Sequence, residues 1–161
     1  MTRIHKYHGL GNDFVVLDAT DPAMGEAEVR AICDRHRGVG ADGVLLVLPA
    51  DDTSTDGRMV IYNRDGTRPE MCGNGIRCMA RYLVEQQAAE APLAIATDAG
   101  VKKCRISSDE PGAWRVAVDM GAAEYIPEAA QVTCKGDQRS FEAVDIGNPH
   151  AVHFRPASDA V

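Results

Sequence analysis

Aromatic residues are scarce in this chain, at 5% of its 161 residues with one Trp. A surface that stacks nucleic-acid bases needs more of them. Positive charge is also short, with 17 Lys and Arg against 24 Asp and Glu and a net charge of −7. The basic residues are scattered rather than gathered in a stripe, which argues against nucleic acid as the main partner. No apolar run approaches the roughly 20 residues of a membrane-spanning helix. The purest run, Gly43–Leu48, has the length of one buried strand, so no membrane partner is expected. No charged-then-apolar leader opens the chain, and export is not expected. The five cysteines are odd in number and lack zinc-type spacing. Reduced thiols in a cytoplasmic protein fit them better than a disulfide framework. The histidines are no better placed for a metal. His150 and His153 would turn their rings to opposite faces of an expected strand, and His5 and His8 meet the same objection. No metal is expected.

What is present is concentrated in Pro69-Glu70-Met71-Cys72-Gly73-Asn74-Gly75-Ile76-Arg77-Cys78. Beyond Cys72 the apolar residues Ile76, Met79, Ala80, Leu83 and Val84 recur at helical spacing, and Pro92 bars continuation. Cys72 therefore stands where loop gives way to an amphipathic helix. Free N–H groups and the positive end of the helix dipole favour anions there, and the same field favours thiolate over thiol. Glycines on either side of Asn74 allow a ligand to approach the backbone. That combination suits proton chemistry on an amino acid. Taken alone, a cysteine in this position is more often a small buried hydrophobe than a catalyst. Cys78 lies about 120° around the helix from Cys72 and reads as core.

The chain is long enough for one domain with a respectable core, or one domain plus part of another. Two stretches read as helices, 26–34 and the one after Cys72. Strands are expected over 4–7, 14–18, 44–48 and 59–62, with a loop from Gly9 to Asp13 and an Asn63-Arg64-Asp65-Gly66 turn. The segments 93–97, 102–106 and 114–120 look like an antiparallel meander. Many strands with one long helix point to an α+β fold with a curved sheet wrapped around that helix. Beyond Met120 the pattern restarts, with strands expected over 131–134, 141–145 and 151–154. These last residues are too few for an independent core without a metal or disulfides, so 121–161 reads as the start of a second domain.

Five segments taken in order resemble the diaminopimelate epimerase family. They are His8-Gly9-Leu10-Gly11-Asn12-Asp13-Phe14, Arg35-His36-Arg37-Gly38-Val39-Gly40-Ala41-Asp42-Gly43, Tyr62-Asn63-Arg64-Asp65-Gly66, the block from Glu70 to Cys78, and Gly147-Asn148-Pro149-His150. Each is modest alone, and five in order are specific. The resemblance covers essentially the whole chain but only a little over half of the family's usual length.

The resemblance implies two pseudo-symmetric lobes, each an antiparallel sheet curled around a central helix, with the active site in the cleft between them. Residues 1–120 would be the first lobe and 121–161 the beginning of the second. The implied activity is cofactor-independent interconversion of LL- and meso-diaminopimelate, a step toward lysine and peptidoglycan precursors. Two opposed cysteines would act as base and acid. Cys72 matches the first-lobe cysteine, and the second would lie past Val161. Asn12, Asn63 and Asn148 match substrate-binding asparagines, and an amide suits that task because it both donates and accepts. Gly73 and Asn74 match positions that offer N–H groups to the substrate. His150 matches a histidine that tunes the cysteines. Read without the resemblance, each asparagine is better taken as a turn former or cap.

Position 43 departs from the pattern: it is glycine where some relatives carry a glutamine, so no binding role is carried over to Gly43. The resemblance also implies a closing strand of the first lobe that these residues do not supply. An unpaired sheet edge of that kind favours association, and a homodimer or a complementing second lobe is a possible partner. The alternatives are a catalytically incomplete chain that only binds ligand, and a related isomerase of the proline-racemase or phenazine-synthesis kind.

Overall fold

A computed structural model describes residues 3–110, 113–134, 137–147 and 149–154. The chain divides into two compact units, Met1–Met120 and Gly121–Val161. The first contains β1 (His5–Gly9), β2 (Asn12–Asp18), α1 (Glu26–Cys33), β3 (Gly43–Leu48), β4 (Gly57–Asn63), α2 (Gly73–Gln87), β5 (Leu93–Ala96), β6 (Lys102–Glu110) and β7 (Ala113–Asp119). The strands form one seven-stranded sheet in sequence order, β1 to β7.

Helix α2 touches every strand of that sheet, including both edges β1 and β7. An open sheet can meet one helix with all its strands only by curling around it, so the expected wrapped α+β arrangement is present. Arg81 of α2 helps to bring the edges together. Its guanidinium carbon lies 5.3 Å from the Tyr7 ring of β1 and 5.4 Å from the Trp114 ring of β7, within cation–π range of both.

The sheet is mixed rather than wholly antiparallel. β2 pairs with β3, and β4 with β5, in parallel. Parallel neighbours need a long crossover, and α1 and α2 are those crossovers. The expected antiparallel meander is β5–β6–β7. β3 is buried at all six positions because both of its faces are covered. Val44, Leu46 and Leu48 join Val29 and Cys33 of α1 in one cluster. Leu45 and Val47 join Ile76, Met79 and Leu83 of α2 in the other. The period of two along a strand assigns each residue to its helix, which is why this run shows no polar alternation.

The second unit holds β8 (Glu124–Cys134), β9 (Asp137–Asp145) and β10 (Pro149–Val152), paired antiparallel in the order β10–β9–β8. β8 begins well before the expected 131–134. Its pairing slips between Ile126 and Ala130, around Pro127, which has no N–H to give to a ladder. That proline hides the first half of the strand from a pattern reading. Tyr125 and Phe154 of this unit are exposed, at 59% and 79%.

Enclosure of α2 predicts the cost of cutting it back. Leu83→Ala, at a fully buried site, should lower stability by about 2–5 kcal/mol in urea unfolding. Val84→Ala, on the half-buried side of the same turn, should cost clearly less. Equal losses would contradict the enclosure.

Candidate active site

Three strands and one helix bring the expected residues of the first unit to one rim. Asn12 opens β2, Gly43 opens β3 opposite Phe14, and Asn63 closes β4 opposite Gly43. α2 starts at the same rim, because the Asn74 amide nitrogen donates to Asn12 Oδ1 at 3.1 Å. The hairpin that presents Asn12 turns at Leu10 and Gly11, with φ of 56° and 89°. Two central residues with positive φ match the twist of a tight hairpin, and Leu10 adopts that uncommon conformation while 93% exposed.

Cys72 is the N-cap of α2, in extended backbone with φ −143° and ψ 115°. Its Sγ accepts from the Gly75 N–H at 3.4 Å, and its carbonyl accepts from Ile76 N–H at 2.9 Å. The next two N–H groups, on Gly73 and Asn74, find no partner among the described residues, and the first turn carries no acidic residue. The positive end of the helix is therefore left uncompensated beside a partly exposed free thiol.

The glycines here serve different ends. A Cβ on Gly73 would meet nothing within 4 Å, so the backbone there is open to a ligand. On Gly75 it would press on Ile61 and Leu45 side chains at 3.1 Å. Gly75 thus serves close packing of helix on sheet, and the expectation that both glycines flanking Asn74 make room for ligand holds for Gly73 alone. A Cβ on Gly43 would stand 2.5 Å from the Tyr62 carbonyl oxygen. The backbone at position 43 leaves no room for a side chain.

Asn12 is held on both sides, its Nδ2 donating to Asp42 Oδ2 at 3.1 Å and its Oδ1 accepting from Asn74. Asn74 Oδ1 accepts in turn from Arg77. Asn63 is not part of this chain of bonds: its amide donates to Thr67 Oγ1 at 3.0 Å within its own turn. His150 lies exposed on β10 of the second unit, opposite Val144. Asn148 falls outside the described residues.

Charged residues that the sequence reading left unassigned support this rim. Arg35 grips Asp13 at 2.6 and 3.2 Å and reaches Asp42 Oδ1 at 2.8 Å. Lys6 pairs with Asp13 at 2.9 Å. The Arg35 guanidinium, aided by Lys6, holds the Asp13 carboxyl well below the usual carboxylate range. Asp13 and Asp42 lie inside two of the quoted motifs, and that was the available signal. No group of three or more His, Cys, Asp and Glu fit to hold a metal occurs among the described residues. A hollow of about 520 Å³, between Asp18, Val47, Asp56 and Gln87, opens at the opposite end of the strands and shares none of these groups.

Such a rim, with a thiol at a helix N-terminus, unpaired N–H groups and carboxylates occupied by Arg and Lys, suits proton transfer next to a bound anion. The fold is a curled sheet around a central helix. It superposes on a hydroxyproline epimerase from Agrobacterium vitis, solved with trans-4-hydroxy-L-proline, with a TM-score of 0.74 at 20% identity over 93% of this chain and 50% of that one. By sequence the chain belongs to the diaminopimelate epimerase family, whose model matches residues 4–126. It is 41% identical to the diaminopimelate epimerase of Desulfitobacterium hafniense over 94% of this chain and 59% of that protein. It is 38% identical to that of a Synechocystis species over 92% and 58%. The chain thus spans somewhat under 60% of the length of the relatives it matches.

Two outcomes follow from the site. Burial pushes the thiols of Cys78 and Cys104 up to about 11, whereas Cys72 is partly exposed. Iodoacetamide at neutral pH should label Cys72 in the folded chain and reach Cys33, Cys78 and Cys104 only after unfolding, read by peptide mass spectrometry. Asp13 has a folded pKa below its unfolded value of about 3.9. Its contribution to stability is therefore complete above that value and is lost as pH falls below it. Asp13→Asn should lower stability at pH 6 and flatten the decline between about pH 4 and pH 2; an unchanged slope in acid unfolding would contradict this.

Proposed function

We propose that the chain is the Cys72-bearing part of an enzyme that interconverts LL- and meso-diaminopimelate, with residues 1–120 as its first lobe and 121–161 as the beginning of its second. The observation that carries this reading is Cys72 capping α2 beside unpaired N–H groups of Gly73 and Asn74, in a chain of the diaminopimelate epimerase family.

Inversion at an α-carbon needs the hydrogen taken from one face and a proton delivered to the other. Cys72 serves one face, as thiolate base or thiol acid according to direction. A second cysteine, which no motif in these 161 residues matches, serves the other. The reaction proceeds without a cofactor, so the carbanion has no pyridine ring to accept its charge. Charge instead accumulates on the substrate carboxylate, where the α2 N-terminus and the amide N–H groups meet it. Asn12, Asn63 and Asn148 hold the polar ends of the substrate, and His150 sets the protonation of the reacting thiols. The reaction belongs to lysine and peptidoglycan precursor synthesis in the cytoplasm.

Proton NMR of LL-diaminopimelate in heavy water tests the reading, with the chain beside its Cys72→Ala variant. The α-hydrogen should exchange at a rate that the variant lowers by about 10²-fold or more, while L-proline is left alone. Inversion along with exchange would mean that another residue or subunit supplies the second acid. Exchange without inversion would make the chain a working half-site. Exchange of L-proline in place of diaminopimelate, or a rate equal to that of the variant, would overturn the assignment.

A further inference from the structure

An asparagine amide can be flipped end for end with little change in shape, exchanging its donor for its acceptor. At this rim the ambiguity is removed by what lies at the two ends of the bond chain. At one end stands Asp42, whose carboxylate can only accept. At the other stands Arg77, whose guanidinium can only donate. Two amides strung between an acceptor and a donor can be threaded in one sense only. Asp42 Oδ2 accepts from Asn12 Nδ2, Asn12 Oδ1 from Asn74 Nδ2, and Asn74 Oδ1 from Arg77.

Asp42 is itself immobilised. Its Oδ1 takes Arg35 at 2.8 Å and its Oδ2 takes the Asp13 N–H at 3.1 Å. Its backbone N–H donates to the Asp13 carbonyl at 2.9 Å, and its carbonyl accepts from the Arg64 N–H at 3.0 Å.

We propose that Asp42 is a positioning residue that sets the direction of the Asn12 and Asn74 amides, and so decides where the rim presents N–H groups to its ligand. Each amide keeps one N–H that the chain of bonds does not use, and the N–H groups of Gly73 and Asn74 on the first turn of α2 have no partner among the described residues. The carboxylates that could repel an anion are already engaged: Asp13 is paired with Lys6 and Arg35, and Asp42 with Arg35. A rim of this kind therefore takes an anionic group, and on the proposed function that group is a carboxylate. Its identity as diaminopimelate rests on the proposed function, whereas the amide direction does not.

The test is NMR on the ¹³C,¹⁵N-labelled 161-residue chain. Scalar couplings across hydrogen bonds should link Asn12 Nδ2 to the Asp42 carboxyl carbon and Asn74 Nδ2 to the Asn12 amide carbon. Their absence would overturn the proposal without any variant, which covers the case of an Asp42→Ala chain that does not fold. In folded Asp42→Ala the side-chain order parameters of Asn12 and Asn74 should both fall from about 0.85 to below about 0.6. Asp42→Asn, which keeps an acceptor oxygen, should restore much of that order. A rigid Asn74 amide in Asp42→Ala would mean that Asp42 is merely structural, and would overturn the relay.

Titration with LL-diaminopimelate separates the two readings. Binding weakened about 10-fold or more by Asp42→Ala, with loosened amides, supports both. Loosened amides with no binding by either chain would support the relay and overturn the proposed ligand.

Discussion

The position of α2 governs everything else in the first unit. A helix met by all seven strands has no free side along which to shift. Small residues at Gly75 and Ala80 allow the strands to approach, while Ile76, Met79, Tyr82 and Leu83 fill the enclosed volume. Each such large side chain contributes roughly 1.5–3 kcal/mol by leaving water. That apolar enclosure brings the start of the helix to the rim, where Gly73 and Asn74 are half-buried. The location of Cys72 is thus a consequence of core packing.

The polar side of the rim does a different job. Its ion pairs are partly exposed, with Arg35 at 51% and Lys6 at 41%, and pairs of that kind add little to stability. Their value is directional. Arg35 spans Asp13 and Asp42, and Asp42 in turn fixes an amide on β2 that fixes an amide on α2. One strand end, one loop and one helix start are tied together by groups whose donor and acceptor roles cannot be exchanged. An open rim thereby acquires fixed donor and acceptor positions.

Much of this was legible in the chain. The helical spacing from Ile76 to Leu83 marked α2 and its buried face, the Asp-Gly turn marked the end of β4, and the short apolar segments marked the strands. Two features were less legible. The parallel pairing of β2 with β3 and of β4 with β5 depends on where crossover helices return the chain, and local periodicity does not record that. The first half of β8 was hidden by Pro127, which breaks the ladder where strand preference would otherwise be read. Asp13 and Asp42 stood inside recognisable motifs, but an aspartate beside a glycine or an asparagine reads as a turn former until its partner is known.

The sequence by itself determined the class of fold, the helix that begins at Cys72 and the family whose motifs it carries, because these depend on residue type and spacing along the chain. Only the tertiary structure decided which glycines are spaces and which are contacts. Gly73 faces open volume, whereas Gly43 and Gly75 are pressed by neighbours distant in sequence. It also decided the direction of the Asn12 and Asn74 amides. That direction is set by a carboxylate 30 residues from Asn12 and a guanidinium one helical turn from Asn74. A hydrogen bond takes its sense from the groups at its ends, and folding is what brings those ends together.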